Sequence, residues 1–370
     1  MIPPSVLSKY SRKLKMAWVK PAFSKERVKK AGMTLISDDY EFEEVEQALE
    51  VLNNWRSIHS YPVNTFQASL RAKLNKLNLD ATVAQRLKRI PSILAKLHRF
   101  PKMSLSRMQD IGGLRAVVET TDAIYKLWNS YKDSKFDHVL VSEYDYIAEP
   151  KSSGYRGIHL VYKYNNRKGD GPYYEGLQLE IQIRNRLQHS WATAVETAGV
   201  FLEQALKSSI GNEKWLEFFT YASSSFAVLE KLPVFIGHRE MTNEEIFDKT
   251  LELEAELEVI SKLEMYKAVV EVPKDVQGKA HYFLMELQPK SNQIEITGYA
   301  RAELVKATED YLEAEKTAKG SPEIQIVLVA AQSLESLKKA YPNYFLDTKH
   351  FVENLRKIRS MRLKTLTAAV

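Results

Sequence analysis

The sequence predicts an α/β or α+β fold, in which a layered domain of strands and helices is followed by a smaller α/β unit. Two observations carry this prediction. Up to about residue 110, apolar residues recur every three or four positions, which is typical of amphipathic helices. From residue 114 onward, short apolar runs alternate with helical stretches, and strands separated by helices favour a layered architecture.

Two apolar series predict the N-terminal helices. The series are Phe42, Val45, Leu49 and Leu52, then Phe66, Leu70, Leu74 and Leu77. Asp38 and Asp39 are placed to cap the first helix. Pro91 suits the first turn of a third helix, because its missing N–H is not needed there.

Four segments in the middle of the chain are predicted strands: 114–118, 138–141, 158–164 and 177–184. The last segment alternates strictly between apolar and polar residues. Its polar residues, Gln178, Glu180, Gln182 and Arg184, share one face. Because the opposite face is fully apolar and therefore buried, we expect the polar face to line a cleft.

A helix is predicted over 186–204, followed by an acidic helical stretch over 243–264 that resembles a connector. The last part of the chain predicts strands at 282–287, 293–298 and 323–329 and helices at 301–318, 332–340 and 348–360. We therefore divide the chain into a basic helical N-terminal region (1–60), a central domain (61–240), a connector (241–269) and a C-terminal domain (270–370).

Composition excludes several classes of protein. The 370 residues include no Cys, which excludes disulfides, Cys-ligated zinc, Fe–S clusters and Cys nucleophiles. No apolar run is long enough to span a membrane, and the N-terminus lacks the apolar core of a signal peptide. We therefore expect a cytoplasmic protein with no membrane partner.

The net charge of +6 is unevenly distributed. Residues 1–31 hold nine Lys or Arg against one acid, and residues 71–107 hold ten against one. Such segregation suggests a polyanionic partner, either nucleic acid or the phosphates of a nucleotide. Solvated helix faces are an equally good explanation of the charge alone.

Common phosphate-binding and hydrolase motifs are absent, including the Walker sequence, His-Glu-x-x-His, Gly-x-Ser-x-Gly and Gly-x-Gly-x-x-Gly. Four other elements occur in order instead. They are Arg86-x-Lys88-x3-Ser92-x3-Lys96, Asp110-x4-Arg115, Tyr146-Ile-Ala-x-Pro-Lys151-x-x-Gly154-Tyr155-Arg156-Gly157-x-His159, and Glu180-x-Gln182-Ile-Arg184.

Each element has a physical interpretation. Cations at a helix start can bind a triphosphate, since the helix N-terminus adds N–H donors and partial positive charge. Asp110, at a strand entrance, can hold magnesium between phosphates. Gly154 and Gly157 permit a tight loop, which we expect to keep Tyr155 near the surface, free to stack on a base. Each element alone has an ordinary structural explanation, such as a capping Asp or an exposed turn.

Together, over residues 60–205, the elements resemble the synthetase domain of the RelA/SpoT homologue family, a mixed-sheet nucleotidyltransferase. The resemblance implies that pyrophosphate is transferred from ATP to a ribose 3′-hydroxyl with magnesium as cofactor. It implies that Asp110, Glu180 and Tyr155 are catalytic and that Asp110 holds the metal. Glu180 would be either a second metal ligand or the general base that takes the proton of the attacking hydroxyl. The implied ATP-binding residues are Arg86, Lys88, Ser92, Lys96 and Arg115. The implied acceptor-binding residues are Lys151, Tyr155, Arg156, His159, Gln182 and Arg184.

Two departures from the family pattern fall on the implied acceptor side. Arg156 and Gly157 follow the loop tyrosine, and Asn185 stands where Thr is usual. These departures and the basic stretches favour the toxic small alarmone synthetase branch, which modifies the 3′-CCA end of tRNA and blocks translation. The alternative is a (p)ppGpp synthetase acting on GDP or GTP. A non-catalytic RNA-binding protein on the same scaffold is disfavoured, since Asp110 and Glu180 are both present.

The C-terminal domain resembles the fused antitoxin of the CapRel type, which has a zinc-finger-like fold without zinc. The resemblance implies that the Tyr341-x-x-Tyr344 segment occludes the ATP site. It also implies that a phage structural protein, such as a capsid protein, releases the toxin in abortive-infection defence. Alternatively, the two tyrosines simply pack a turn between helices.

Overall fold

The computed structural model describes residues 18–37, 39, 41–133, 136–205, 212–265, 269–271, 280–288, 291, 293–318, 324–331, 333–342, 345 and 347–368. Its helices are α1 (Lys25–Thr34), α2 (Phe42–Ile58), α3 (Ser60–Lys76), α4 (Ile90–Arg99), α5 (Thr121–Lys132), α6 (Arg186–Ala205), α7 (Asn212–Glu230), α8 (Asn243–Leu257), α9 (Val259–Met265), α10 (Leu304–Thr317), α11 (Leu334–Ala340) and α12 (Lys349–Ala368). Its strands are β1 (Ala81–Leu87), β2 (Gly112–Val118), β3 (Val139–Asp145), β4 (Ile158–Lys163), β5 (Gln178–Asn185), β6 (Val269–Glu271), β7 (Tyr282–Gln288), β8 (Gln293–Tyr299) and β9 (Gln325–Ala330).

The strands form one mixed sheet in the order β3–β4–β5–β2–β1–β9–β7–β8–β6. Strand β2 runs parallel to β5 and antiparallel to β1. The central strands and the C-terminal strands meet where Arg86 of β1 pairs with Val329 of β9. The C-terminal unit therefore extends the central sheet at the strand that begins the first motif.

The main core lies on the apolar face of the central strands. Leu179, Ile181 and Ile183 of β5 are fully buried there, together with Phe66 and Leu70 of α3. Burying an aliphatic or aromatic side chain of this size contributes about 1.5–3 kcal/mol. The apolar face of β5 is thus fixed against the helices, and the polar face is left to form the site.

Helix α12 returns from the C-terminal unit to the central part of the chain. Its residues Phe351, Val352, Leu355 and Ile358 are each 2% exposed or less. They lie in one apolar cluster with Trp191 of α6 and with Phe218, Phe219 and Phe226 of α7. Removing the C-terminal unit would therefore open a core that belongs to the central helices.

The mixed α+β architecture and the four central strands are confirmed. Strand β1 was not predicted, because most of its side chains are half-buried and its sequence alternates weakly. The acidic stretch predicted as one helix is broken at Glu258, which adopts a left-handed conformation with φ of 53°. Helix α2 begins after Glu41 without a side-chain cap, and Asp38 lies outside the described residues. None of the described helices is both long enough and apolar enough to cross a bilayer.

Candidate active site

Strand register brings the predicted residues onto one face of the sheet. Arg86, Gly113 and Glu180 lie in one row across β1, β2 and β5. In the next row, Arg115 pairs with Gln182, and Gln182 pairs with His159 of β4. Because paired residues on neighbouring strands share a face, residues nearly 100 positions apart in the chain become neighbours.

The end of this face that is predicted to bind ATP, here called the donor end, is built around Asp110, which lies in the turn before β2. Lys88 Nζ lies 3.1 Å from Asp110 Oδ2, and Lys96 Nζ lies 2.9 Å from Oδ1. The three side chains are 19–29% exposed, so they are reachable from solvent. Both carboxylate oxygens are therefore occupied by cations that could instead bind phosphate.

The residues predicted to bind the acceptor substrate, here called the acceptor end, include a closed ring of hydrogen bonds. His159 Nδ1 donates to Glu180 over 2.6 Å, and the Tyr155 hydroxyl donates to His159 Nε2 over 2.5 Å. Arg184 donates to the Tyr155 hydroxyl (3.0 Å) and to Gln182 (3.1 Å), and Gln182 donates back to Glu180 (2.7 Å). Since a carboxylate only accepts, Glu180 assigns the His159 proton to Nδ1. The ring fixes all five side chains relative to one another.

The ring also sets the ionisation of Glu180. Burial alone would raise the pKa of Glu180, but the hydrogen bonds from His159 and Gln182 outweigh burial and hold that pKa at about 2. A carboxylate with so low a pKa is a weak base. In this conformation Glu180 is suited to an electrostatic or metal-binding role rather than to removing a proton.

The arrangement of carboxylates fits a magnesium ion that arrives with a nucleotide. Among the described residues, no three His, Asp or Glu side chains are grouped to hold a metal. Asp110 and Glu180 nevertheless line one cavity. Magnesium is usually bound by one or two carboxylates and by substrate phosphates, so two carboxylates in one cavity are enough.

Tyr341, from the turn after α11, closes the same cavity. Its side chain is 1% exposed, and its hydroxyl donates to the backbone carbonyl of Gln85. Arg115 lies with its guanidinium carbon 5.7 Å from the Tyr341 ring centroid and donates to the carbonyl of Ala340. The cavity that remains has a volume of about 110 Å³. Of the predicted site residues, those lining it are Arg86, Lys88, Asp110, Arg115, Glu180, Gln182 and Tyr341.

Arg115 lies half-buried beneath Tyr341. Burial lowers its pKa to about 10, and the nearby Arg184 and Arg86 act in the same direction. Its Nε is buried without a hydrogen-bond partner. Several cations are therefore close together at the donor end. Tyr341 covers them, but its neutral side chain does not balance their charge.

The structure corrects the prediction for Arg156. This side chain is 4% exposed, and it donates to Ser223 of α7 (3.0 Å) and to the carbonyl of Ile147 (3.2 Å). It thus faces the helices behind the loop instead of offering a cation to an acceptor. Burial lowers the pKa of Arg156 to about 10, a shift that Glu230 opposes.

Three other predicted residues differ from expectation or fall outside the structure. Tyr155 is half-buried rather than free at the loop surface, because its hydroxyl is tied to His159 and Arg184. Ser92 lies half-buried in the first turn of α4 and is not among the residues lining the cavity. Tyr344 lies outside the described residues. Lys151 stays beside the site, with its Nζ 5.1 Å from the Tyr155 ring centroid.

Two residues that support the candidate site were not predicted from the sequence. Arg56 of α2 is 2% exposed, donates to the carbonyl of Lys88 over 2.9 Å, and pairs with Glu315 of α10 at 3.2 Å. Ser223 holds the loop that carries Tyr155. Neither residue has a sequence signal, since each lies in an ordinary amphipathic helix and acts only through a partner distant in the chain.

Part of the chain is similar to known proteins. Residues 85–201 match the family model described as a region found in RelA/SpoT proteins. GTP pyrophosphokinase YjbM of Bacillus subtilis is 38% identical over 113 residues, which are 30% of this chain and 52% of that protein. GTP pyrophosphokinase of Escherichia coli K12 is 27% identical over 146 residues, 40% of this chain and 18% of that protein. The chain thus spans about half the length of the first relative and under a fifth of the second.

Two solved structures from Bacillus subtilis are also similar to part of this chain. The small alarmone synthetase 1 of B. subtilis bound to its product pppGpp is 29% identical, with a TM-score of 0.38 over 46% of this chain and 89% of that one. The small alarmone synthetase 2 of B. subtilis is 21% identical, with a TM-score of 0.41 over 49% and 94%. Residues 85–201, the part of the chain that matches the RelA/SpoT family model, contain Lys88, Asp110 and Glu180 of the candidate site.

Proposed function

We propose that the chain is a RelA/SpoT-type pyrophosphokinase that transfers pyrophosphate from ATP to a ribose 3′-hydroxyl. The observation that carries the proposal is the meeting of Asp110 and Glu180 with a group of Lys and Arg side chains in one cavity. Phosphoryl transfer depends on positioning and charge neutralisation more than on covalent chemistry. The names of the relatives, GTP pyrophosphokinases, support the same reaction class.

In this proposal Lys88 and Lys96 exchange the Asp110 carboxylate for the phosphates of ATP. Asp110 then becomes available to the magnesium that accompanies the nucleotide, and that ion supplies further neutralisation of charge. Arg86 offers its planar guanidinium group to the adenine, and Arg115 is a further cation for binding ATP. The acceptor oxygen bonds to the β-phosphorus, the bond between that phosphorus and the α-phosphate oxygen breaks, AMP leaves, and the hydroxyl proton is released.

We infer that the described conformation is autoinhibited. Pockets for drug-sized ligands have volumes of roughly 300–1,000 Å³, whereas the cavity beside Tyr341 has about 110 Å³. ATP can therefore bind only if Tyr341 leaves the donor end. The C-terminal unit would in this way act as a fused antitoxin, and its likeness to a metal-free zinc finger remains a prediction.

Two acceptors are supported by different observations. Guanosine nucleotides are supported by the relatives' names. A tRNA acceptor is supported by the proximity of the two basic stretches. Gly32 of α1 packs against Leu105, and this contact brings the two stretches together. Exposed cations of the two stretches include Lys25, Arg27, Lys29, Lys30 and Arg107. The buried Arg156 adds nothing to the case for tRNA.

The CapRel resemblance supports a biological setting for this activity. We propose that a phage structural protein binds the C-terminal unit and withdraws Tyr341, which would release a translation-blocking toxin during infection. Co-expression of candidate capsid proteins with the full chain tests this, with growth arrest as the expected result.

The reaction is tested by incubating the full chain and its Tyr341→Ala variant with γ-³²P-ATP, magnesium, and either tRNA or GDP and GTP. Point variants are preferable to truncation, because α12 contributes Phe351 and Leu355 to the central core. Label on tRNA supports the toxin, and label on guanosine nucleotides supports alarmone synthesis. A folded Tyr341→Ala chain that labels neither acceptor would contradict the proposed reaction.

A further inference from the structure

Three consecutive serines on α7 are buried and contact three different segments. Ser224 Oγ lies 2.9 Å from His238 Nδ1, and Ser225 Oγ lies 2.7 Å from Thr250 Oγ1 of α8. The Ser223 hydroxyl donates to the carbonyl of Gly154 over 2.5 Å and accepts from Arg156 Nε at 3.0 Å. Of the three, Ser223 is the one bonded to residues 151–157, here called the acceptor loop.

The acceptor loop packs directly on the backbone of α7. Gly154 has a φ of 84°, a conformation that side-chain-bearing residues rarely adopt. A Cβ at Gly154 would lie 3.0 Å from Ser223 Cβ and 3.1 Å from Thr220 Cα. The loop therefore has little room to shift toward α7, and the Ser223 hydroxyl prevents it from moving away.

Arg156 extends this anchor to the residues before the loop. Its Nε donates to Ser223, and its Nη1 donates to the carbonyl of Ile147. Both side chains are nearly inaccessible, with Ser223 3% and Arg156 4% exposed. One serine hydroxyl is thus bonded on both sides of Tyr155, to the residue before it and the residue after it.

Tyr155 connects this anchor to the chemistry. Its hydroxyl is bonded to His159 and Arg184, which belong to the hydrogen-bond ring that includes Glu180. A movement of the loop backbone would therefore pull Tyr155 out of the ring at the acceptor end. The donor end, where Lys88 and Lys96 meet Asp110, shares no contact with Ser223 among the described residues.

We propose that Ser223 is a positioning residue for the acceptor, which holds the acceptor loop so that Tyr155 and Lys151 stay at the acceptor end of the site. The proposal rests on the proposed pyrophosphokinase function and deepens it. Helix α7 lies beyond residues 85–201, so a segment outside the RelA/SpoT region would set the affinity for the acceptor.

The test compares Ser223→Ala with Ser225→Ala as a matched control, both in the full chain carrying Tyr341→Ala. Removing the Ser223 hydroxyl leaves the Gly154 carbonyl and Arg156 Nε without their partner. We expect about a tenfold rise in KM for the acceptor, measured with GDP, GTP and tRNA, and an unchanged KM for ATP. Ser225→Ala removes a buried hydroxyl from the same helix and should change neither KM. A parallel loss of kcat and a rise in both KM values for Ser223→Ala would indicate a general structural role and overturn the proposal.

Amide hydrogen exchange of residues 146–157 gives a readout that needs no activity. Faster exchange of this peptide in Ser223→Ala, with Ser225→Ala unchanged, is the expected result. Equal exchange in the two variants would refute the anchor. If no chain transfers label to any acceptor, the proposed reaction fails, and the exchange measurement still decides whether Ser223 holds the loop.

Discussion

The two ends of the candidate site are held together in different ways. At the donor end, Lys88, Lys96 and Asp110 are partly exposed, and the covering residue Tyr341 comes from a unit more than 200 positions later in the chain. At the acceptor end, five side chains close a hydrogen-bond ring, and Ser223 and Arg156 support the loop from behind. The acceptor end is organised before any substrate binds.

This difference indicates where control is exerted. A cover supplied by a separate unit can be withdrawn while the residues beneath it keep their places, whereas breaking one bond of a closed ring weakens the positioning of its neighbours. We therefore expect regulation to act at the donor end and catalytic geometry to depend on the acceptor end.

Glu180→Gln in the Tyr341→Ala chain should lower pyrophosphate transfer on the order of 1,000-fold. The amide has the size of the carboxylate, but it removes the negative charge that would face the phosphates and metal, and its NH2 group cannot accept one of the two ring hydrogen bonds. Steady-state transfer to the preferred acceptor measures the effect. Glu149→Gln is the control, since Glu149 is an exposed acid near the same loop. Activity within threefold of the parent would remove Glu180 from the catalytic machinery.

Tyr341→Ala should raise basal transfer by the full chain on the order of 100-fold, which corresponds to a closed state favoured by about 2.7 kcal/mol. The substitution removes the ring beside Arg115 and the bond to the Gln85 carbonyl. Tyr282→Ala is the matched control, because Tyr282 is also buried in the C-terminal unit but in a different cluster. Equal activation by both variants would mean that general loosening of the unit, and not removal of the cover, opens the site.

Arg56→Met should give a smaller rise in basal transfer, on the order of tenfold, and should lower the free energy of unfolding by about 3 kcal/mol. Arg56 joins α2 to α10 through Glu315 and Tyr311, and the substitution leaves Glu315, whose side chain is 11% exposed, without its cation. Denaturant unfolding and the transfer assay measure the two effects. Adding Glu315→Gln should recover part of the stability without restoring inhibition. Undiminished inhibition in both variants would show that this ion pair does not hold the cover in place.

Glu230→Gln should change stability in a pH-dependent way with little effect on the donor end. Burial raises the pKa of Glu230 to about 7, although Asn185 and Arg156 oppose the shift. The folded state therefore keeps a proton on Glu230 that the unfolded state releases near pH 4.5, so the contribution of Glu230 to stability falls as pH rises from about 4.5 to 7. We expect the Tm of Glu230→Gln to exceed that of the parent chain at pH 8 by more than at pH 5. A pH-independent difference would contradict the assignment.

Local sequence patterns predicted the strands well where one face is apolar. In β5 the alternation of Leu179, Ile181 and Ile183 with Glu180 and Gln182 specified both the strand and the face that forms the site. Strand β1 was missed because its side chains are half-buried on both faces, and such a strand carries no clear periodicity.

The roles of individual side chains were less predictable. Arg156 lies in a motif that predicts phosphate binding, yet its side chain donates hydrogen bonds to Ser223 and to the Ile147 carbonyl. Asn185, the other departure on the acceptor side, is 0% exposed and donates to Thr121 and Glu230 behind the sheet. Both departures serve packing, because the side chains point toward the helices and not toward the cavity.

By itself, the sequence determined the fold class, the order of the motifs and the chemical character of the donor end. These depend on periodicity and on residues close in the chain, which local physical rules describe. The resemblance implied a cover by Tyr341, but its contact with the Gln85 carbonyl is seen only in the tertiary structure, as are the pairing of Arg56 with Glu315 and the bond from Ser223 to the acceptor loop. Each of these is a contact between segments far apart in the chain, and which distant surfaces meet is set by the burial of whole helices and strands rather than by any local pattern.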